Sequence, residues 1–474
     1  MVETLKPDIC VIGGGPGGLA VATGAAAFGV PTVLVEGHKM GGADLSAGSV
    51  PSKALLAAAK RAEAIRNAKM FGVEGRDTRV NFPDVHRHVH AVIAAMMPND
   101  SAERLTGLGV RVVHARAKFK DRNTVVAGDF EIHARRFVIA TGSKPAVPPI
   151  PGLDSGPYLT SESIFSLTER PEHLIIIGAG PTGLELAQGF RRLGSSVTVL
   201  ESAQPLGKDD PECSAVVLTR LEREGIVIRS GVNVVGIAHA GRTVTATIES
   251  DGAEQTITGS HLLITTGRDP SFADLDLGAA GIRHERSGIV VSRKLKTSNR
   301  RVYAIGDCIG DARLTHTATY HASLVIQNAL FRLPVSVNND CVPWVTFTDP
   351  ELAQVGLTEA RARKQGIKIR VTRWPYHDND RAQAEGEPRG HIKVITMGKG
   401  KIVGVTIVGA QAGELIGMWV LAIRRSLSLR NLTDLVLPYP TLSEIGKSAA
   451  IDYFIPSLTG VWARRIISWM RIFG

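Results

Sequence analysis

The chain has 474 residues, of which 44% are hydrophobic, 21% charged and 5% aromatic, with a formal net charge of +10 at pH 7. That length exceeds what one hydrophobic core serves, and roughly three domains is the expectation from size alone. No apolar run is long enough to cross a bilayer, and the dispersed basic residues with few aromatics supply no stacking platform for nucleic acid, so the charge instead suits anionic nucleotides and an anionic membrane surface.

The first apolar run, Ile9-Cys10-Val11-Ile12, begins near Asp8, which leaves no room for a signal peptide and sets the expectation of a cytoplasmic protein. It leads into Gly13-Gly14-Gly15-Pro16-Gly17-Gly18, a helix-like segment, and a second strand, Thr32-Val33-Leu34-Val35, ending in Glu36. The same order recurs at the same interval: Leu174-Ile175-Ile176-Ile177, then Gly178-Ala179-Gly180-Pro181-Thr182-Gly183, then Val197-Thr198-Val199-Leu200 and Glu201. A tight strand-to-helix turn needs glycine, a pyrophosphate needs bare N–H groups at a helix N-terminus, and a carboxylate ending the second strand accepts from ribose hydroxyls. One such glycine pattern is weak evidence, because glycine turns also serve plain α/β packing. Two copies with strand, helix and acid in register predict two dinucleotide-binding units, one using Gly13, Gly15, Gly18 and Glu36, the other Gly178, Gly180, Gly183 and Glu201.

Further strands follow the same grammar. Arg136-Phe137-Val138-Ile139-Ala140 ends at Thr141-Gly142 before a proline-rich link from Pro145 to Pro151, and Leu262-Leu263-Ile264-Thr265-Thr266 ends at Gly267-Arg268. Val302-Tyr303-Ala304-Ile305-Gly306 runs to Asp307, and Leu314-Thr315-His316 opens a helix. Taken alone, Asp307 reads equally as a turn residue. From about residue 340 short alternating strands (Trp344 to Phe347, His391 to Ile395, Ile402 to Val408) alternate with helices such as Ala410 to Ser426, a pattern that establishes a half-buried sheet. Cys10, Cys213, Cys308 and Cys341 are scattered without metal-ligand or C-x-x-C spacing, so they are expected to be reduced and mostly core, with no metal site. After Pro456, Trp462, Ile466, Trp469 and Phe473 fall on one helical stripe with Arg464, Arg465 and Arg471 on other faces. Such a helix either lies in a membrane interface or packs as an arm on a dimer.

This order of motifs resembles the FAD- and pyridine-nucleotide-dependent disulfide oxidoreductases, the family of dihydrolipoamide dehydrogenase, glutathione reductase and mercuric reductase, over nearly the whole chain. The resemblance implies an α/β fold with two Rossmann-like dinucleotide-binding domains, one inserted in the other, plus an α+β dimerisation domain. The expected boundaries are 1–152 and 268–335 for FAD, 153–267 for NAD(P), 340–456 for the dimerisation domain and 457–474 for the basic helix, in a homodimer. By the same resemblance Asp307 bonds the ribityl chain, and the helix opened at Thr315 aims its positive N-terminus at the flavin N1/C2 carbonyl. Lys53 reaches flavin N5 and pairs with Glu185; either residue alone would read as an ordinary solvated side chain. Thr141, Gly142 and Gly267 complete the expected cofactor contacts. Glu201, followed by Ser202-Ala203-Gln204 and no arginine, favours NADH over NADPH.

The departures from the family pattern carry as much information. Where relatives have two redox cysteines before Val-Pro-Ser-Lys, this chain reads Gly41-Gly42-Ala43-Asp44-Leu45-Ser46-Ala47-Gly48-Ser49-Val50-Pro51-Ser52-Lys53, with Asp44 and Ser49 at the cysteine positions. Neither side chain forms a thiolate or a mixed disulfide, which excludes thiol–disulfide exchange there. Near the C-terminus Tyr439 stands where the family's acid/base histidine is expected, while its carboxylate partner persists as Glu444. Asp44 reads either as a proton relay beside the flavin or as a solvated loop carboxylate. The expected activity is hydride transfer from NADH to FAD and two-electron delivery to a small non-disulfide acceptor such as a quinone. The alternatives are a nicotinamide transhydrogenase and, from a different class, a non-catalytic flavin-bound structural or regulatory subunit. The tail adds peripheral contact with the inner face of the membrane to the expected cytoplasmic location.

Overall fold

A computed structural model describes residues 2–74, 79–250, 252–310 and 313–472. The chain forms two compact units, one of residues 1–178, 189–200 and 232–337, the other of residues 179–188, 201–231 and 338–474. The architecture is mixed α/β, with parallel sheets in the first unit and an antiparallel sheet in the second.

In the first unit five parallel strands lie in the order Val302–Ala304, Arg136–Ile139, Ile9–Ile12, Thr32–Glu36, Val110–His114. Ile9, Val11 and Ile12 pair in register with Thr32, Leu34 and Val35 on one side and with Arg136, Val138 and Ile139 on the other. These strands are β-branched runs buried on both faces, as a parallel sheet covered by helices requires. Because the chain leaves Ile9–Ile12 for the neighbour on one side and later returns to the other, the end of that strand is a topological switch point. Helix Pro16–Ala27 makes the first crossover and packs against helix Thr315–Ala329.

A second parallel arrangement in this unit runs Leu159–Thr160, His261–Ile264, His173–Ile177, Ser196–Glu201. A three-stranded antiparallel sheet, Asn233–Ala240, Thr243–Ser250 and Ala253–Gly259, adds Ile237, Val244, Ala246 and Ile248 to the same core as Ile175, Ile177 and Leu262.

The second unit centres on five antiparallel strands in the order Trp344–Thr346, Glu351–Gly356, Lys401–Gly409, His391–Met397, Ile369–Pro375. Helices Ala412–Arg424 and Glu444–Leu458 bury Trp419, Ile416, Ile445 and Ala449 against it. Helix Pro211–Arg223 is capped by Asp210, whose Oδ1 accepts from the N–H groups of Glu212 and Cys213, with proline in the first turn. Asp210 and its neighbour also receive a cation. Lys393, 3% exposed, lies 2.8 Å from Asp210, 3.1 Å from Glu212 and 2.9 Å from Glu359.

The helix carrying Lys53 spans Ser49–Asn67, with Pro51 in its first turn. Other elements differ from the expectation at their ends. Asp44 lies on a short helix, Gly42–Ser46, and not in a loop. The helix expected over 410–426 is Ala412–Arg424, because Gln411 takes a left-handed conformation and the chain turns there. The tail helix does not begin after Pro456: helix Glu444–Leu458 continues through that proline, and a separate helix, Val461–Met470, starts after Gly460. Phe473, the last residue of the expected stripe, lies outside the described residues.

Candidate active site

At the end of Ile9–Ile12 the three signature glycines differ in what they tolerate. Gly13 has φ +110°, and a Cβ there would stand 2.4 Å from Ala140 O; a Cβ on Gly18 would stand 1.9 Å from Gly13 O. Both are demanded by the close approach of strand, turn and helix. At Gly15 the nearest atom to such a Cβ is Gly42 Cα at 4.0 Å, so this glycine leaves space at the N-terminus of helix Pro16–Ala27. That is the division of labour a pyrophosphate cradle needs. Thr141 Oγ1 is buried and has no hydrogen-bond partner among the described residues. With the open Gly15, this orphaned hydroxyl fits a site that a dinucleotide completes. Gly142 follows it at φ +68°.

Glu36 is nearly buried, with Oε2 accepting from Gly14 N–H and Oε1 from His38 N–H at 2.6 Å. The second copy repeats the first of these bonds: Glu201 Oε2 accepts from Ala179 N–H at 2.7 Å, again across 22 residues. Its other oxygen accepts from Ala203 N–H at 3.0 Å. In each copy the terminal acid therefore fixes the glycine turn. Gly178 has φ +107°, and a Cβ on it would meet Thr265 O at 2.6 Å, while Gly180 has open space around it. Gly183 lies in the first turn of helix Pro181–Arg192, and Gly267, at φ +122°, also has open surroundings.

Asp307, after strand Val302–Ala304, accepts from Ser143 Oγ at 2.6 Å, and Arg268 lies 4.0 Å away. Burial raises the Asp307 carboxyl above its usual range, with the negative charge of Asp44 pushing the same way. Arg268 also donates to Ser143 Oγ and Ser143 O, both at 2.7 Å. Ser143 and Arg268 were not singled out from the sequence. Each directly follows a quoted glycine, but nothing in spacing joins either of them to Asp307.

The redox-cysteine positions are joined by a different chemistry. Ser49 Oγ donates to Asp44 Oδ1 at 3.2 Å, and Thr315 Oγ1 donates to Asp44 Oδ2 at 2.6 Å. Thr315 is the first residue of helix Thr315–Ala329, so a carboxylate is held at the positive end of a 15-residue helix. The four cysteines lie elsewhere: Cys10, Cys213 and Cys308 are buried and Cys341 is half-buried. Burial pushes all four thiols up, Cys308 to about 12.

Lys53 is half-buried on its helix, 3.5 Å from Ser52 Oγ. Glu185, 5% exposed, accepts from Phe347 N–H at 2.9 Å. Tyr439 is exposed and donates to Asp380 Oδ2 at 2.6 Å, a bond that raises its phenol. Glu444 opens helix Glu444–Leu458 and accepts from Thr441 N–H at 3.1 Å. Within one chain these last two residues are thus each satisfied locally.

Two nucleotide turns, an acid at the end of each second strand and a separate antiparallel domain define a flavin and pyridine-nucleotide oxidoreductase. The chain belongs to the pyridine nucleotide-disulphide oxidoreductase family, whose model matches residues 7–322, and the family's dimerisation domain matches residues 342–450. Members of the family are FAD-dependent oxidoreductases that work with NAD(P)H. A mercuric reductase from Streptomyces lividans is 34% identical over 451 residues, covering 94% of this chain and 95% of its own. A dihydrolipoyl dehydrogenase from Bacillus subtilis is 33% identical over 456 residues, covering 94% and 96%. Among solved structures, LpdA from Mycobacterium tuberculosis superposes with a TM-score of 0.87 at 26% identity, covering 95% of this chain and 99% of its own. The HOCl-induced flavoprotein disulfide reductase RclA from Escherichia coli gives 0.83 at 27% identity, covering 94% and 99%. No helix among the described residues is long and apolar enough to cross a membrane.

Proposed function

We propose that this chain takes a hydride from NADH onto FAD and delivers two electrons to a non-disulfide acceptor, a quinone being the first candidate. The observation that carries this reading is the Asp44–Ser49 hydrogen bond where thiol-dependent relatives are expected to hold their redox pair. A carboxylate and an alcohol cannot store the second electron pair or bind a thiol covalently, so the chemistry suggested by the names of the relatives, dihydrolipoyl oxidation and mercuric reduction, is not carried over.

Bound FAD supplies the two-electron centre. For it, Gly13, Gly15 and Gly18 provide the turn and the space for the pyrophosphate, Glu36 accepts from the ribose, Thr141 and Gly142 lie alongside, and Asp307 holds the ribityl chain. Lys53 and Glu185 act as the ion pair beside the reacting face, and Thr315 carries the helix N-terminus that favours negative charge there. The nicotinamide nucleotide takes Gly178, Gly180, Gly183 and Gly267, with Glu201 selecting a free 2′-hydroxyl over a 2′-phosphate. Residues 1–152 with 268–335, 153–267 and 340–456 serve as the FAD, NAD(P) and dimerisation domains of a homodimer. In it Tyr439 and Glu444 are offered to the acceptor side. The exposed helix Val461–Met470 brings the enzyme to the inner face of an anionic membrane, where a lipid-soluble acceptor resides.

Anaerobic stopped-flow reduction by NADH, followed by reoxidation with quinone, NADP, oxygen or lipoamide in turn, tests this. The expected result is one flavin's worth of electrons per subunit, no thiolate-to-flavin charge-transfer band, fast reoxidation by quinone and none by lipoamide. Fast reoxidation by NADP would favour a transhydrogenase, and failure of NADH to reduce the flavin would leave a structural role. Robust dihydrolipoamide oxidation would overturn the reading of Asp44 and Ser49.

A further inference from the structure

Helix Pro211–Arg223 contributes Val216, Arg220 and Arg223 to one wall of a cavity of about 440 Å³ in the second unit. Pro350, His377 and Arg389 also line it. That volume lies in the range of small-molecule sites. None of the glycine-turn residues, and neither Glu36 nor Glu201, lines it.

The charge around this cavity does not balance. Arg220 is countered by Glu224 at 2.7 Å, and His377 Nε2 lies 3.3 Å from Asp378 Oδ1. Arg223 and Arg389 have no ion-pair partner among the described residues, and both side chains are exposed. Two free guanidiniums thus border a concave space with apolar surface from Val216 and Pro350. A guanidinium binds a phosphate or carboxylate through two parallel N–H···O bonds, and two of them together suit a dianion. A bare ion would leave the apolar walls uncovered.

We propose that this cavity binds a small phosphate monoester, its dianionic phosphate held by Arg223 and Arg389 and its apolar body laid against Val216 and Pro350. The site is independent of the electron acceptor. Occupancy joins the C-terminal turn of helix Pro211–Arg223 to the chain at Arg389. The opposite end of that helix is already held, through Asp210 and Glu212, by Lys393. A ligand that spans these elements in the folded state raises the unfolding temperature by mass action.

The test uses full-length protein saturated with FAD and NAD⁺, so that the phosphate sites of both glycine turns are filled, and titrates phenyl phosphate by calorimetry and thermal shift. Saturable binding with a Kd of about 1 mM or tighter is expected. The variant Arg223→Gln/Arg389→Gln weakens it at least about tenfold. Arg283→Gln/Arg286→Gln removes the same charge from exposed positions in the first unit and leaves it unchanged. Inorganic phosphate, lacking the apolar body, and benzoate, carrying one charge, both bind more weakly. The proposal is overturned if phenyl phosphate does not saturate, if both double variants lose affinity equally, or if Arg223→Gln/Arg389→Gln retains it. Benzoate binding as tightly as phenyl phosphate would overturn the assignment to a phosphate. Unliganded unfolding temperatures of the variants separate loss of binding from loss of fold.

Discussion

Thr315 Oγ1 donates a 2.6 Å hydrogen bond to Asp44 Oδ2 across 271 residues of sequence, placing a carboxylate against the first residue of helix Thr315–Ala329. The proposed role of that helix end is to stabilise negative charge arriving on the cofactor, and a fixed carboxylate beside it works in opposition. Asp44→Asn keeps an oxygen that can accept from Thr315 while removing the charge. The midpoint potential of the bound flavin is expected to rise by about 30 mV, equivalent to about 1.4 kcal/mol for a two-electron couple. Spectroelectrochemical titration of the two proteins checks it, and an unchanged or lowered potential would remove Asp44 from the cofactor's field.

The glycines at 15 and 18 are expected to fail in different ways. A methyl at Gly18 meets Gly13 O at 1.9 Å, so Gly18→Ala forces backbone to move and costs about 1–3 kcal/mol of stability. A methyl at Gly15 has no neighbour closer than 4.0 Å and intrudes on the phosphate space instead. Gly15→Ala is expected to keep the apoprotein's unfolding temperature and weaken FAD binding. Thermal unfolding of apoprotein beside FAD titration separates the two outcomes, and equal destabilisation by both would contradict the reading.

Acid stability follows from the charges around Lys393. Hydrogen bonding to Arg373, at 2.8 Å, is the largest influence lowering the Glu212 carboxyl, and its pKa falls to about 2. Its pKa in the unfolded chain is about 4.3, so the folded state binds the proton less readily. This contribution is full above the unfolded value and disappears as pH falls through the folded one. Arg373→Gln is expected to have a lower unfolding temperature than the parent near neutral pH, with the gap narrowing below about pH 4. A gap that widened on acidification would reverse the assignment. Partial exposure of Glu212 keeps the effect small.

The helix Val461–Met470 has no buried residue, and Trp462 is 77% exposed. Immersing Trp462 and Ile466 is worth about 1.5–3 kcal/mol each, and the neighbouring arginines add attraction to anionic lipid. Because helix Glu444–Leu458 ends before this segment, removing residues 459–474 spares the packed part of the domain. The truncated enzyme is expected to stay in the supernatant with anionic vesicles that sediment the full-length protein, while NADH reduces its flavin at the same rate. If the full-length chain does not sediment, or if truncation yields monomers, the helix is a packing arm.

The nucleotide-binding turns were legible because their constraint is local: a glycine such as Gly18, on which a Cβ would stand 1.9 Å from a carbonyl oxygen, leaves a signature within a few positions. Glu36 and Glu201 were equally visible, since strand length sets their distance from the turn, although their bonds to Gly14 and Ala179 were not. The surroundings of Asp307 were hidden, because Ser143 and Arg268 reach it through tertiary folding that no periodicity encodes. Residues 457–474 were read as one helix from a hydrophobic stripe. The stripe is real from Trp462, but hydrophobic spacing carried no information about the turn at Gly460.

The burial of the cysteines has a bearing on the conditions under which the protein can operate. Thiolate is the species that peroxide, hypochlorous acid and alkylating agents attack, and a thiol whose pKa is pushed up by burial presents almost none of it at neutral pH. All four thiols of this chain are shifted in that direction. With oxygen atoms at positions 44 and 49, neither position offers a thiol for glutathione or thioredoxin to exchange with. An electrophile or oxidant that silences a dithiol enzyme of the same fold finds no corresponding thiol at these two positions.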